Sequence, residues 1–299
     1  MRISFVWQGV SDPVIRNGWK DGLYAAMQII EKQHTVTYNE PFDDITDVDI
    51  ILYWEAPTTI NGQNQTHYNK VRNNPIKKAL LFAGGPLQKE WVEGFDHIFV
   101  ESKINAEECE KLGLSHSTAF GINDKIFKPL NVPKVFNAIH HGASASWKRQ
   151  WLMAESISNT VICGRYQEED PEPFDRSRRA GTLILPQLPQ ELVACMINAS
   201  RCLAQTSEFW GGGQRATLEA MACGVPVIVM TDSPKNIEYV EESGFGEIVT
   251  PSNEQIKLGF DRLMEKNFDP QIGVDYIKSK YTAQHYADSL LKGIEQICS

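Results

Sequence analysis

The run Thr206-Ser207-Glu208-Phe209-Trp210-Gly211-Gly212-Gly213-Gln214-Arg215-Ala216-Thr217-Leu218-Glu219-Ala220-Met221-Ala222-Cys223-Gly224-Val225-Pro226-Val227-Ile228-Val229 sets three consecutive glycines between a β-rich segment and a helix-forming one. Glycines at a strand-to-helix turn admit positive φ and let backbone N–H groups approach a ligand closely. The helix that follows offers partial positive charge at its N-terminus, so such a turn suits a diphosphate. Glu219, one or two turns into that helix, can accept hydrogen bonds from a ribose diol. The alternative is a glutamate that only favours the helix start through the macrodipole. A glycine triplet by itself serves many turns, so the signal lies in the whole block.

Elements that could carry this turn alternate along the chain. Strand-like runs over 3–7, 35–38, 48–54, 78–82, 97–101 and 117–120 are separated by helix-like runs over 21–32, 60–72, 88–92 and 105–112. That order predicts parallel crossovers and one doubly wound sheet. Residues 122–133 carry Pro129 and Pro133 and no clear period, as an interdomain connection would. We place the division at 131, giving an N-terminal domain 1–131 and a C-terminal domain 132–299. The second domain repeats the alternation, with strands expected over 135–140, 160–164, 183–185, 201–205, 225–230 and 247–249. Helices are expected over 146–158, 190–198, 217–223 and 237–242. The segments 252–266 and 275–297 have apolar residues at helical spacing, and the last could pack back on the first domain. Residues 167–181 read as a charged loop, in which Arg176, Arg178 and Arg179 could meet phosphate or acceptor.

The stretch from Leu218 to Ile228 resembles glycosyltransferase family 4, retaining enzymes of GT-B fold. Their C-terminal domain carries Glu-x7-Glu running into Leu-Glu-Ala-Met-Ala-Cys-Gly-x-Pro-Val-Ile. Glu247-Ile248-Val249-Thr250-Pro251 with the following helix, and Gly121-Ile122-Asn123-Asp124-Lys125-Ile126-Phe127-Lys128-Pro129 at the domain junction, extend the likeness. The resemblance implies two Rossmann-like α/β domains facing across a cleft, with the nucleotide-sugar held by the C-terminal one. It assigns the nucleotide ribose to Glu219. The motif's first glutamate falls on Gly211, and Glu208 is the nearest acid that could replace it. The family also directs an arginine and a lysine at the donor diphosphate. Lys148 fits the lysine, whereas the arginine position is Ala143, leaving Arg149 or another neighbour to add charge.

The expected donor site therefore comprises Gly9, Gly142, Lys148, Arg149, Gly211, Gly212, Gly213, Gln214, Thr217, Leu218 and Glu219, with Lys148 and Glu208 as catalytic candidates. Gly9 and the run Ala83-Gly84-Gly85-Pro86 follow N-terminal strands, where ligands of α/β proteins sit. The family's sugar-site histidine has no counterpart there. Glu55 and Asp12 are possible replacements, and no catalytic base is assigned.

No cofactor or metal is expected, because lysine, arginine and helix N-termini can stabilise a departing diphosphate. His140 and His141 are adjacent on a strand, point to opposite faces and do not chelate one ion easily. The tryptophans serve mainly in packing, although some could stack on sugars or bases. The six cysteines include no C-x-x-C pair and read as reduced. The absence of a long apolar run or a leader-like start points to a cytoplasmic protein without a membrane span. A net charge of −9 opposes general polyanion binding.

The partners expected are a nucleotide-sugar donor and a glycan or small-molecule acceptor. A modified DNA base is the alternative acceptor, and it would need a basic groove from residues such as Lys70, Arg72, Lys77 and Lys78. Two other classes remain open. One is a nucleotide-sugar-binding module without catalysis, suggested by Gly211 and Ala143; the other is an epimerase or phosphorylase on the same fold.

Overall fold

The computed structural model describes residues 1–7, 20–55, 63–82, 85–208 and 214–299. The chain divides into two compact units, one of Met1–Asn123 with Ala283–Ser299 and the other of Asp124–Thr282.

The first unit is a six-stranded parallel sheet in the order β2-β1-β3-β4-β5-β6. Its strands are β1 (Arg2–Val6), β2 (Thr35–Asn39), β3 (Ile50–Glu55), β4 (Lys78–Phe82), β5 (His97–Val100) and β6 (His116–Thr118). Between them run α1 (Gly22–Ile30), α2 (Gln63–Arg72), α3 (Lys89–Val92) and α4 (Lys103–Lys111). Parallel pairing demands such crossovers, and helices on both faces require strands apolar on both sides. Accordingly β4 is buried at all its positions.

Ile3, Phe5, Leu52, Leu81 and Phe99 point to one face and pack with Leu23 and Met27 of α1. Ile51, Tyr53, Leu80, Phe82 and Ile98 point to the other, with Tyr68 of α2 and Cys109 of α4. Asp21 caps α1 by accepting from the Tyr24 N–H, and Ser102 caps α4 from the Asn105 N–H. The chain's last helix, α12 (Ala283–Cys298), joins this unit by placing Tyr286, Leu290 and Ile294 on the α1 face of the sheet.

The second unit is another six-stranded parallel sheet, ordered β12-β11-β10-β7-β8-β9. Its strands are β7 (Phe136–His141), β8 (Thr160–Cys163), β9 (Leu183–Leu185), β10 (Ser200–Gln205), β11 (Val227–Met230) and β12 (Gly246–Val249). The helices are α5 (Gln150–Ser156), α6 (Glu172–Arg179), α7 (Gln190–Asn198), α8 (Gln214–Ala222), α9 (Pro234–Ser243), α10 (Asn253–Lys266) and α11 (Pro270–Lys280). Ala138, Ile162, Ala204 and Ile228 of the sheet close over Met153 of α5 and Ile256 and Leu263 of α10. Burying each of the larger side chains contributes about 1.5–3 kcal/mol.

Two expectations change here. The helix foreseen over 146–158 is interrupted: Ser146–Lys148 forms a 3-10 turn, Arg149 takes a left-handed conformation at φ 49°, and α5 starts only afterwards. The segment read as a charged loop contains α6. Its charges obscure the narrow apolar side on which Phe174 and Ser177 are buried, while Arg176 pairs with Glu155, Arg178 with Asp175 and Arg179 with Glu172. Each of those arginines has a local acid as its partner.

Candidate functional site

In the second unit the chain winds outward from β7 through β8 to β9, then returns to build β10, β11 and β12 on the other side. Strand order therefore reverses between β7 and β10, and an open α/β sheet binds ligands outside the carboxyl ends of its strands at such a point. The loops leaving those two strands are 142–148 and 206–208, and hydrogen bonds tie them together. Thr206 Oγ1 donates to the Lys148 carbonyl at 2.7 Å, and the Glu208 N–H donates to the Trp147 carbonyl at 3.0 Å.

Lys148 reaches back over the end of β7. Gly142, at φ +136°, makes room for it: a Cβ there would lie 2.6 Å from Lys148 Nζ. The ammonium also lies 4.9 Å from the centre of the Trp147 ring. Burial pulls the Lys148 pKa down to about 8, and nearby Arg165 pushes in the same direction. No carboxylate pairs with Lys148 among the described residues.

Glu219 is on α8, 1 % exposed, with neither carboxylate oxygen hydrogen-bonded among the described residues. His141 Nε2 approaches its Oε2 to 3.1 Å, within ion-pair range but outside hydrogen-bond alignment. A buried carboxylate without donors is costly, and a diol would supply two. Next to His141 on β7, His140 is fully buried with neither ring nitrogen bonded. Burial, reinforced by Lys148 and His141, holds His140 well below the ordinary histidine range. It is therefore a neutral core residue at physiological pH.

Other expected residues have different surroundings. Arg149 donates twice to Asp232, at 2.7 and 2.8 Å, and once to the Thr206 carbonyl, so its guanidinium braces the site's loops. Thr217 is buried and its hydroxyl donates to Asn236 Oδ1 at 2.7 Å, while Leu218 is fully buried. The Glu208 side chain is exposed. Gly9, Gly211, Gly212 and Gly213 lie outside the described residues, as does the side chain of Gln214, whose backbone begins α8. Asp12, Ala83, Gly84 and the side chain of Glu55 lie outside them too.

Sequence reasoning missed Arg165. It follows β8, whose pairing with β7 sets Cys163 beside His141. The Arg165 carbonyl accepts from the Ser144 N–H at 2.8 Å, and Gly164 abuts the Gly142 carbonyl. Arg165 is exposed, and no carboxylate pairs with it among the described residues. Its neighbour Gly164 was the available signal, since a glycine at a strand's carboxyl end marks close backbone approach.

The residues considered for a DNA groove are engaged locally in the first unit. Lys70 pairs with Asp44 and Lys77 with Asp96, Lys78 is buried, and Arg72 lies over Tyr68. Among the described residues no group of three His, Cys, Asp or Glu is arranged to hold a metal ion, and the six cysteines are free thiols. Among them, too, no helix is long and apolar enough to cross a membrane.

Comparison with known proteins fits this geometry. The family described as Glycosyl transferases group 1 matches residues 155–279, which include α8 and Glu219. No curated protein sequence matches the chain. Among solved structures, sucrose-phosphate synthase from Thermosynechococcus elongatus superposes with a TM-score of 0.73 at 12% identity, covering 99% of this chain and 98% of that one. A glycosyltransferase from Rickettsia africae gives 0.74 at 13%, with the same coverages. The Anabaena protein HepE, solved with UDP, gives 0.68 at 12%, covering 99% of this chain and 100% of its own. A second HepE structure, with UDP and glucose, gives 0.63 at 15%, covering 99% and 98%. The chain has the GT-B fold, and residues 155–279 of its second unit are similar to the group 1 glycosyl transferases.

Proposed function

We propose that the chain transfers a hexosyl or pentosyl group from a UDP- or GDP-sugar to the hydroxyl of a glycan or small molecule, with retention and without a metal. The observation that carries this reading is the pair Glu219 and Lys148, a carboxylate without donors and a cation without a counter-ion at one end of one sheet. Glu219 would accept from the ribose diol, and Lys148 would meet the diphosphate. HepE, of the same fold, is solved with UDP and glucose, which supports a uridine nucleotide as the first donor to test.

In the transfer, the bond from the anomeric carbon to the β-phosphate oxygen breaks and a bond to the acceptor oxygen forms on the same face. The acceptor proton leaves with the departing diphosphate. Negative charge grows on that diphosphate, so a fixed ammonium stabilises the transition state more than the ground state.

A ligand that binds only the folded state stabilises it, by about 2.7 kcal/mol at a hundred times its Kd. UDP should therefore raise the melting temperature of the native protein, and Glu219→Ala should abolish that rise while remaining folded. No shift with UDP, GDP or their sugars, or an equal shift in the variant, would overturn the assignment of Glu219.

Arg165 supplies a second positive charge where Ala143 has none. Arg165→Ala should raise the donor KM about ten- to a hundredfold, the loss of a hydrogen bond to a charged group. Steady-state kinetics check this, and an unchanged donor KM would remove Arg165 from the site.

A further inference from the structure

The amino-terminal edge of the second unit's sheet, opposite the loops that carry Lys148, holds a cavity of about 400 Å3. That volume lies in the range of small-molecule sites. Phe260, Leu263 and Met264 from α10 and Phe268 beyond it form an apolar wall, and Lys134 and Arg201 stand at the mouth. Leu263 belongs to the core, whereas Phe260, Met264 and Phe268 are only partly covered.

Two cations line this cavity, in a chain of net charge −9. On the neighbouring α10, Arg262 and Lys266 both pair with Glu247. Lys134 donates only to the Ser200 carbonyl, at 2.8 Å, and neither Lys134 nor Arg201 has a carboxylate partner among the described residues. Partial burial is the main cause of a lowered Lys134 pKa; Cys223 and Cys202 oppose it, and Arg201 adds to it, so the two charges repel each other at the exposed rim of the cavity. An anion between them relieves that repulsion, and the apolar wall beside them favours an organic body attached to it.

We propose that this cavity binds a small amphipathic organic anion, a flat apolar body bearing one carboxylate, sulfonate or phosphate group. The apolar part lies against Phe260, Met264 and Phe268, and the charged group lies between Lys134 and Arg201. The proposal is independent of the transfer reaction, because the cavity shares no residue with the candidate donor site.

The test is a fluorescence titration of the whole protein with 8-anilinonaphthalene-1-sulfonate, with UDP in excess so that a probe seated at the nucleotide end is displaced. The comparison probe is N-phenyl-1-naphthylamine, the same aromatic body without the sulfonate. One saturable site is expected for the anion, with at least about tenfold weaker binding of the neutral probe, the value of one charged hydrogen bond. Arg201→Glu should weaken the anion by a similar factor and Arg201→Lys should restore it, with unchanged melting temperatures showing that each variant is folded. Absence of a saturable site under UDP, equal binding of the two probes, or indifference to Arg201→Glu would each overturn the proposal.

Discussion

Replacing Lys148 by alanine should lower kcat/KM for sugar transfer by about 10²–10³-fold, the cost of removing one preorganised group that stabilises developing negative charge. Its ammonium has no competing carboxylate among the described residues and is held beside Gly142, where an added Cβ would collide with it. The pH profile gives a sharper check than the variant alone. With the pKa of Lys148 depressed to about 8, kcat/KM in the free enzyme should fall as pH rises past that value and the proton is lost. Lys148→Arg, which cannot deprotonate in this range, should remove the falling limb. Stability moves the other way. The unfolded lysine titrates near 10.5, so between about 8 and 10.5 the unfolded chain binds more protons than the folded one, and folding stability gains with pH. Activity falling while stability rises over one pH window identifies a partly buried, functional lysine. A profile flat to pH 10, or a Lys148→Ala variant within a few-fold of the parent, would sink the assignment.

Glu219 and Lys148 are the candidates the sequence offers, the first from a block running from glycines into a helix and the second from the family resemblance, which sets a lysine after the first strand of the C-terminal domain. Alternation of strand and helix also predicts both sheets, since a parallel strand buried on two faces leaves a continuous apolar run such as residues 79–82 of β4. What escapes is contact between distant elements. Arg149 is adjacent to Lys148 in sequence, yet a left-handed backbone sends its guanidinium to Asp232. Arg165 comes near Lys148 only through the pairing of β8 with β7. The approach of His141 to Glu219 likewise depends on how α8 packs on the sheet. Charge conceals α6, because Arg178 and Arg179 pair with acids of the same helix, Arg176 pairs with Glu155 of α5, and Phe174 is left as the main apolar mark.

Gly164→Ala should be the most destabilising of the small substitutions near the site, by about 3 kcal/mol or more, as overpacking a rigid contact costs. A Cβ at Gly164 would lie 1.8 Å from the Gly142 carbonyl oxygen and 2.5 Å from its carbon. Both are backbone atoms, and Gly142 is itself held, its N–H donating to the Cys163 carbonyl at 2.9 Å. No side-chain rotation relieves the clash, so β7 and β8 must part at their carboxyl ends. Gly181 provides the contrasting case. It has φ +86° but no atom within 4 Å of an added Cβ, so Gly181→Ala should cost only the backbone strain, about 1–2 kcal/mol. Urea unfolding midpoints of the two variants separate steric from conformational cost. Because the loops that part carry Lys148 and Arg165, Gly164→Ala should also lose nucleotide-induced stabilisation at temperatures where it remains folded, whereas Gly181→Ala should keep it. Equal destabilisation of the two, or full nucleotide response in Gly164→Ala, would show that the contact between Gly142 and Gly164 does not set the geometry of the site.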